Sequence, residues 1–268
     1  MVSFRDIFTG LKQLDIDPDR PVIAHASLSA FGELRGGAEG LLGALLSAFR
    51  SLLMPTFTYS TMLIPEDGPR DNGIRYGSGR DLNRMAEVFH LDLPADSLMG
   101  VTAEALRCHP NAGRSQHPIL SFAGVQVESL LARQSLVEPL GPIAALQERQ
   151  GWVLLLGTDH TCNTSLHYAE KLAGRRQFLR WALTSTGVRE CPGYPGCSDG
   201  FEAAAPSLER ITRRVQIGPA IVRALPLNEM TAIVTNLIQE NPLALLCSRD
   251  DCDRCQAVRN DLKIPIDG

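Results

Sequence analysis

His167 and Glu170 are the pair of residues whose types and spacing most directly suggest chemistry in this sequence. Three apart on a helix, they share one face. A carboxylate beside an imidazole holds it in one tautomer and raises its basicity, which a general base requires. An i,i+3 pair of this kind also suits an ordinary solvated helix face, so its meaning depends on its surroundings. It lies in WVLLLGTDHTCNTSLHYAE, residues 152–170. That stretch reads as a buried strand (Val153–Leu156), a break at Gly157, a polar loop from Thr158 to Asn163, and a helix that Thr164 can cap. Strand, polar turn and helix start is the arrangement that open α/β sheets use to hold ligands at the carboxyl edge of their strands.

The elements that must position this pair come from a chain of 268 residues, 44% hydrophobic and 21% charged, enough for one sizeable core. The expectation is one domain over residues 1–268, with a cysteine-bearing C-terminal subregion at about 186–268. No apolar run approaches the ~20 residues that a membrane-spanning helix needs. The first residues, MVSFRDIFTGLKQLDI, lack the apolar segment and small-residue cleavage site of a signal peptide, so a cytoplasmic protein is expected. A net charge of −4 argues against nucleic acid as the main partner and is compatible with a cationic small molecule.

Upstream, apolar residues at Phe4, Ile7, Phe8, Leu11 and Leu14 have helical spacing. Residues 21–25 and 51–57 read as short buried strands, with a helix over 38–49 between them. Gly36-Gly37 before that helix would let a phosphate-bearing cofactor approach, or simply admit the chain into the helix; neither GxGxxG nor a Walker lysine is present. Residues 65–80 read as an exposed loop, whose Glu66, Asp67 and Asp71 either line a polyamine site or are solvated. A helix is expected over 98–110. Asn111–Phe122 packs Arg114, Ser115 and His117 into a polar turn, where the arginine is suited to a bidentate phosphate contact and a purely structural turn competes. Helices follow near 126–133 and 143–149. After the 152–170 stretch come a strand over 178–185, a loop over 189–201, a helix around 202–214, a strand near 215–224 and a helix over 230–239.

Seven cysteines, an odd number, are unlike a secreted disulfide framework. Five lie late in the chain, as Cys191-x5-Cys197 and Cys247-x4-Cys252-x2-Cys255. The CxxC turn has the geometry of half a tetrahedral zinc site, which another pair could close. The favoured ligands are Cys191, Cys197, Cys252 and Cys255, with Cys247 as substitute; free buried thiols are the alternative. Four thiolates leave no open coordination position, so such a zinc would be structural.

Several stretches in order, HASLSAFGELRGGAEGLLGAL, LLMPTFTY, RSQHP followed by SF, EPLGPIAAL and LLLGTDHTCNTSLHYAE, resemble the aminoglycoside 3-N-acetyltransferases, acetyl-coenzyme A-dependent antibiotic acetyltransferases, over roughly residues 20–240. The resemblance implies an α/β fold with a central mixed β-sheet flanked by helices. It implies His167 as catalytic base and Glu170 as its supporting carboxylate. The coenzyme A cleft would be bordered by His25, Ser27, Leu28, Ser29 and Gly32, by Pro55, Thr56 and Phe57, and by Arg114, Ser115 and His117. Asp159 and Asn163 would face a cationic acceptor. Oxyanion donors would come from the Ser27–Ser29 backbone or the Thr56 hydroxyl. Transfer would be direct, since no motif positions a cysteine as acyl carrier. The sequence departs from the family at Ser51-Leu52 and in its cysteine-bearing loops, which lie where the acceptor pocket is partly built. An acyltransferase for a different amine (an amino sugar, nucleotide conjugate or metabolite) and a non-catalytic scaffold are the alternatives. A monomer or homodimer is expected.

Overall fold

The structure is a computed structural model that describes residues 1–262; residues 263–268, the end of the expected C-terminal subregion, lie outside the described residues. In chain order the elements are α1 (Phe4–Gln13), β1 (Val22–Ala26), α2 (Gly37–Ala48), β2 (Leu52–Pro55), β3 (Met62–Leu63), α3 (Arg80–Arg84), α4 (Val101–Arg107), β4 (Ala112–Arg114), β5 (Phe122–Val125) and α5 (Glu128–Leu131). There follow α6 (Gly141–Glu148), β6 (Trp152–Leu156), α7 (Ser165–Leu172), β7 (Phe178–Thr184), β8 (Gly187–Tyr194), α8 (Ala205–Leu208), β9 (Arg213–Ile217), β10 (Ala220–Pro226), α9 (Leu227–Glu240) and α10 (Asp253–Asp261).

A seven-stranded sheet has the order β4-β5-β2-β1-β6-β10-β9. Its centre, β2-β1-β6, is parallel, and its outer pairs are antiparallel. The central strands are buried on both faces, which is why they read as unbroken apolar runs rather than as alternations. Side chains nevertheless alternate between two cores. Val22, Ala24, Leu52, Met54, Leu154 and Leu156 join residues of α1, α2 and α4. Ile23, Leu53, Val153 and Leu155 join residues of α5, α6, α7 and α9 on the other face. The α/β fold with a mixed sheet flanked by helices is therefore the one expected. A smaller antiparallel sheet, β3-β7-β8, stands beside it.

The departures from sequence expectation share a cause: weak apolar periodicity at edges. Residues 187–194 form β8, not loop, because Pro192 can sit in an edge strand and four of its residues face solvent. The helix expected over 202–214 is three short turns that end where β9 begins. The single strand expected near 215–224 is the hairpin β9–β10, turned at Gly218 with φ +58°. Within the expected 111–122 turn, β4 adds an edge strand to the sheet. Helix α10 is strongly polar and gives no helical apolar stripe.

Gly157 shows how β6 is handed over to the site. Its φ of +67° is left-handed, and a Cβ there would lie 2.4 Å from Ala30 Cβ. Gly157→Ala is expected to lower stability by about 2 kcal/mol or more, since it combines an unfavourable backbone region with overpacking; the urea midpoint measures it, and an unchanged midpoint refutes this account.

Candidate active site

From Gly157 the chain makes a one-turn 3-10 helix at His160–Cys162, capped by Asp159, whose Oδ1 accepts from Thr161 N at 2.9 Å. Thr164 makes no side-chain cap to α7; the Asn163 Oδ1 accepts from Ser165 N at 3.2 Å instead. This turn aims the first face of α7 at the centre of the molecule. His167 Nδ1 lies 2.8 Å from Glu170 Oε2, and Glu170 is 1% exposed. The carboxylate accepts, so Nδ1 carries a proton, and in the neutral tautomer this selects, Nε2 has the lone pair. The ring also packs against Phe201, with centroids 4.7 Å apart.

Glu170 has a second partner that sequence reasoning missed. Arg175 Nη1 donates to Glu170 Oε1 at 2.7 Å, with both side chains nearly inaccessible. Arg175 Nη2 donates to the carbonyls of Pro242 and Ala244 at 2.8 and 2.7 Å. Arg175 lies just beyond the end of α7, and only the fold brings residues 242–244 to it.

His167 lines a cleft of about 1760 Å³ at the carboxyl ends of β1, β2 and β6. Of the residues expected there, His25, Ser27, Leu28, Ser29, Gly32, Pro55 and Phe57 are on its wall. Leu28 N and Ser29 N, at the start of the 3-10 turn Leu28–Phe31, have no backbone partner among the described residues. Thr56 is fully buried, and its hydroxyl donates to the Ser121 carbonyl at 3.2 Å. Arg114 lies behind the wall with its guanidinium spent on Ser121 Oγ and the carbonyls of Leu91, Leu93 and Thr56. Ser115 Oγ accepts from Phe122 N, and His117 Nδ1 accepts from the amides of Ile119 and Leu120. That turn supports β5; it offers no free donor fork to a phosphate. Asp159 and Asn163 are likewise occupied in shaping the 158–164 turn, the latter with no exposure. The wall instead carries Thr158, Thr161, Cys162, Tyr194, Ser198 and Asp199, with Glu87 and Arg254. Thr158, Thr161 and Cys162 belong to the polar loop before α7; no local motif marks the others, because they arrive from separate loops.

Residues 23–239 match the family model described as aminoglycoside 3-N-acetyltransferase. The chain belongs to that family. Aminoglycoside N(3)-acetyltransferase IX of Micromonospora chalcea is 36% identical over 178 residues, spanning 62% of this chain and 59% of that protein, under two thirds of its length. The apoenzyme structure of aminoglycoside acetyltransferase AAC(3)-IVa superposes with a TM-score of 0.78 at 25% identity, covering 97% of each chain. The binary complex of AAC-IIIb with CoASH gives 0.72 at 23% identity over 89% of this chain and 96% of that one, a likeness of fold alone.

Four of the late cysteines come together in the fold. Cys197, Cys247, Cys252 and Cys255 are buried, and their sulfurs all lie within 4.8 Å of one another. Cys247, not Cys191, completes the set. Cys191 sits in β8, inside the main core, with its sulfur 3.8 Å from the Arg189 carbonyl. The x5 spacing from Cys191 to Cys197 runs along an extended strand, which carries the two sulfurs apart.

Three buried histidines give this acetyltransferase-family chain a pH signature. Burial pushes His25 down to about 3 and His117 down to about 4, and burial also lowers His160. These groups stay neutral in the folded chain while the unfolded chain takes up protons below pH ~6.5. The unfolded state binds more protons throughout that window, so stability falls as pH drops from ~6.5, by up to ~1.4 kcal/mol per pH unit for each histidine. Urea melts across this range test it, and His25→Gln should flatten the slope.

Proposed function

We propose that this chain is an acetyl-coenzyme A:amine N-acetyltransferase that acts as a single domain in the cytoplasm on an aminoglycoside-like acceptor. The observation that carries the reading is the buried Arg175–Glu170–His167 relay, which ends on the wall of a large cleft at the carboxyl edge of a parallel sheet. Membership of the family, the naming of the Micromonospora relative for aminoglycosides, and the coenzyme A complex of AAC-IIIb support the choice of donor and acceptor.

The residues present suit acetyl-coenzyme A. Met54, Pro55, Phe57 and Met99 supply apolar wall, and the unpartnered amides of Leu28 and Ser29 supply donors for an oxygen that gains negative charge. Ser27, Leu28, Ser29, Gly32, Pro55 and Phe57 would hold the cosubstrate, which supplies an activated thioester carbonyl. The phosphates would find their partners elsewhere than at Arg114, whose guanidinium is already engaged. Nε2 of His167 would take the proton from the attacking amine, and Glu170, itself held by Arg175, would keep the ring in the required tautomer. Asp199 and Glu87 on the wall would attract the acceptor's ammonium groups. Cys162 also lines the cleft, but direct transfer needs no acyl carrier.

A structural zinc belongs to the same reading, held by the buried cysteines away from the reacting atoms. The test of function is coenzyme A release with a panel of aminoglycosides and simple amines. Release with aminoglycosides supports the proposal. Release with simple amines alone points to a different acceptor. No release, together with no acetyl-coenzyme A binding by calorimetry, refutes the enzymatic reading.

A further inference from the structure

We infer that Cys197, Cys247, Cys252 and Cys255 form a tetrathiolate zinc centre whose task is to hold the catalytic pair and the adjoining cleft wall in place. The inference deepens the functional reading above and rests on it for the role of His167.

The geometry of the four sulfurs supports a metal. A tetrahedral zinc with Zn–S bonds of ~2.3 Å sets its sulfurs ~3.8 Å apart, close to the spread of up to 4.8 Å seen here. They come from three places: the loop after β8, the loop after α9, and the start of α10, where Cys252 is the N-cap and Cys255 lies in the first turn. The four form a small cluster of their own, separate from both main cores, with Leu246 against it. Helix α10 buries only two small apolar side chains, Ala257 and Val258, in the main core, so its docking calls for another tether. Bound zinc with four thiolates has a net charge of −2, and arginines stand around this site. Arg259 Nη2 donates to the Cys247 carbonyl at 2.5 Å, Arg254 Nη1 to the Gly196 carbonyl at 2.8 Å, and Arg249 pairs with Asp199 at 3.1 Å.

From these sulfurs, short paths lead to the chemistry. Cys197 lies within the wall segment Tyr194–Asp199, and Gly196 sits over the Glu170 carboxylate, where a Cβ would be 3.6 Å from Oε2. A few residues on, Phe201 packs on the His167 ring. Cys247 follows the Pro242–Ala244 carbonyls that hold Arg175, and through it Glu170. The two segments are locked together at Gly200, where a Cβ would meet the Leu245 carbonyl at 2.5 Å. Arg254 on α10 closes the cleft wall beside Gly196. Without the metal, the three cysteine-bearing segments lose their common anchor, and both supports of the His167–Glu170 bond loosen.

The test has two parts, neither of which needs turnover. Zinc analysis of the full chain should find one ion per chain, and cobalt substitution should give the absorption of a tetrathiolate site. Cys197→Ser and Cys252→Ser should lose that spectrum and Cys191→Ala should keep it. Zinc-free protein that takes up no cobalt, disulfides among these cysteines by mass spectrometry, or a spectrum insensitive to Cys197→Ser would overturn the centre. For the coupling, the ¹⁵N-resolved Nδ1–H resonance of His167 is followed as zinc is replaced by cadmium, which keeps the thiolates but lengthens the bonds. The resonance should shift, and chelation of the metal should accelerate its exchange about tenfold, the scale of an ordinary coupling between sites. A resonance unmoved by cadmium and by chelation would overturn the coupling. A chain that binds zinc and shows the coupling but acetylates nothing would sink the functional reading alone.

Discussion

Acyl transfer by His167→Ala is expected to fall by about 10²–10⁴-fold at neutral pH, the usual worth of a positioned general base. An amine is mostly protonated there, and the thioester is attacked only by its neutral form. In the wild-type site, His167 lines the cleft while its Nδ1 is committed to Glu170 at 2.8 Å. Alanine removes the proposed acceptor of the proton without removing the other residues of the cleft wall. Coenzyme A affinity should therefore stay within about twofold, since the loss falls on an interaction made in the transition state. The defect should also shrink as pH rises toward the acceptor's own pKa, because solvent then supplies the neutral amine. Equal activity of mutant and wild type would remove His167 from the mechanism. A defect of constant size at every pH would assign the residue to binding instead.

Arg175→Met should be the most destabilising change near the site. The Arg175–Glu170 pair is almost wholly inaccessible, at 3% and 1% side-chain exposure. Removing the guanidinium leaves a buried carboxylate without its cation and strips a donor from the Pro242 and Ala244 carbonyls. Breaking such a pair costs ~3–5 kcal/mol, a fall in melting temperature on the order of 10 °C for a chain of this size. The double variant Arg175→Met/Glu170→Leu should recover part of that loss, because the uncompensated charge goes with its partner. A single mutant as stable as wild type, by urea melts at neutral pH, would show that Glu170 does not depend on Arg175. A double mutant no better than the single would place the cost in packing alone.

Much of the site's framework was legible because it is local. Val153–Leu156, Gly157 and the polar run before His167 announce strand, turn and helix within nineteen residues. The i,i+3 spacing of His167 and Glu170 sufficed to predict their contact, since a helix brings such positions together whatever the rest of the chain does. The family resemblance added the roles, which spacing alone left open between a dyad and a solvated face. The RSQHP turn was legible as a motif but not as a function. Whether an arginine grips a ligand or its own backbone depends on which carbonyls the fold brings to it, and here Leu91, Leu93 and Thr56 take every nitrogen of Arg114 that Ser121 does not.

By itself, then, the sequence determined the buried central strands, the helices with apolar stripes, the His167–Glu170 contact and the existence of a late cysteine group. These follow from periodicity and short spacing, which act over a few residues. Only the tertiary structure decided that Arg175 completes the relay, that Cys247 rather than Cys191 joins the cluster, and that Asp199 and Arg254 share a wall with His167. The cysteine set and the shared wall depend on residues tens of positions apart meeting across packed elements, and Arg175, five residues from Glu170, is held there by the distant carbonyls of Pro242 and Ala244. Side-chain direction at such meetings is set by the sheet, the strand pleat and the loops between them, not by any local pattern.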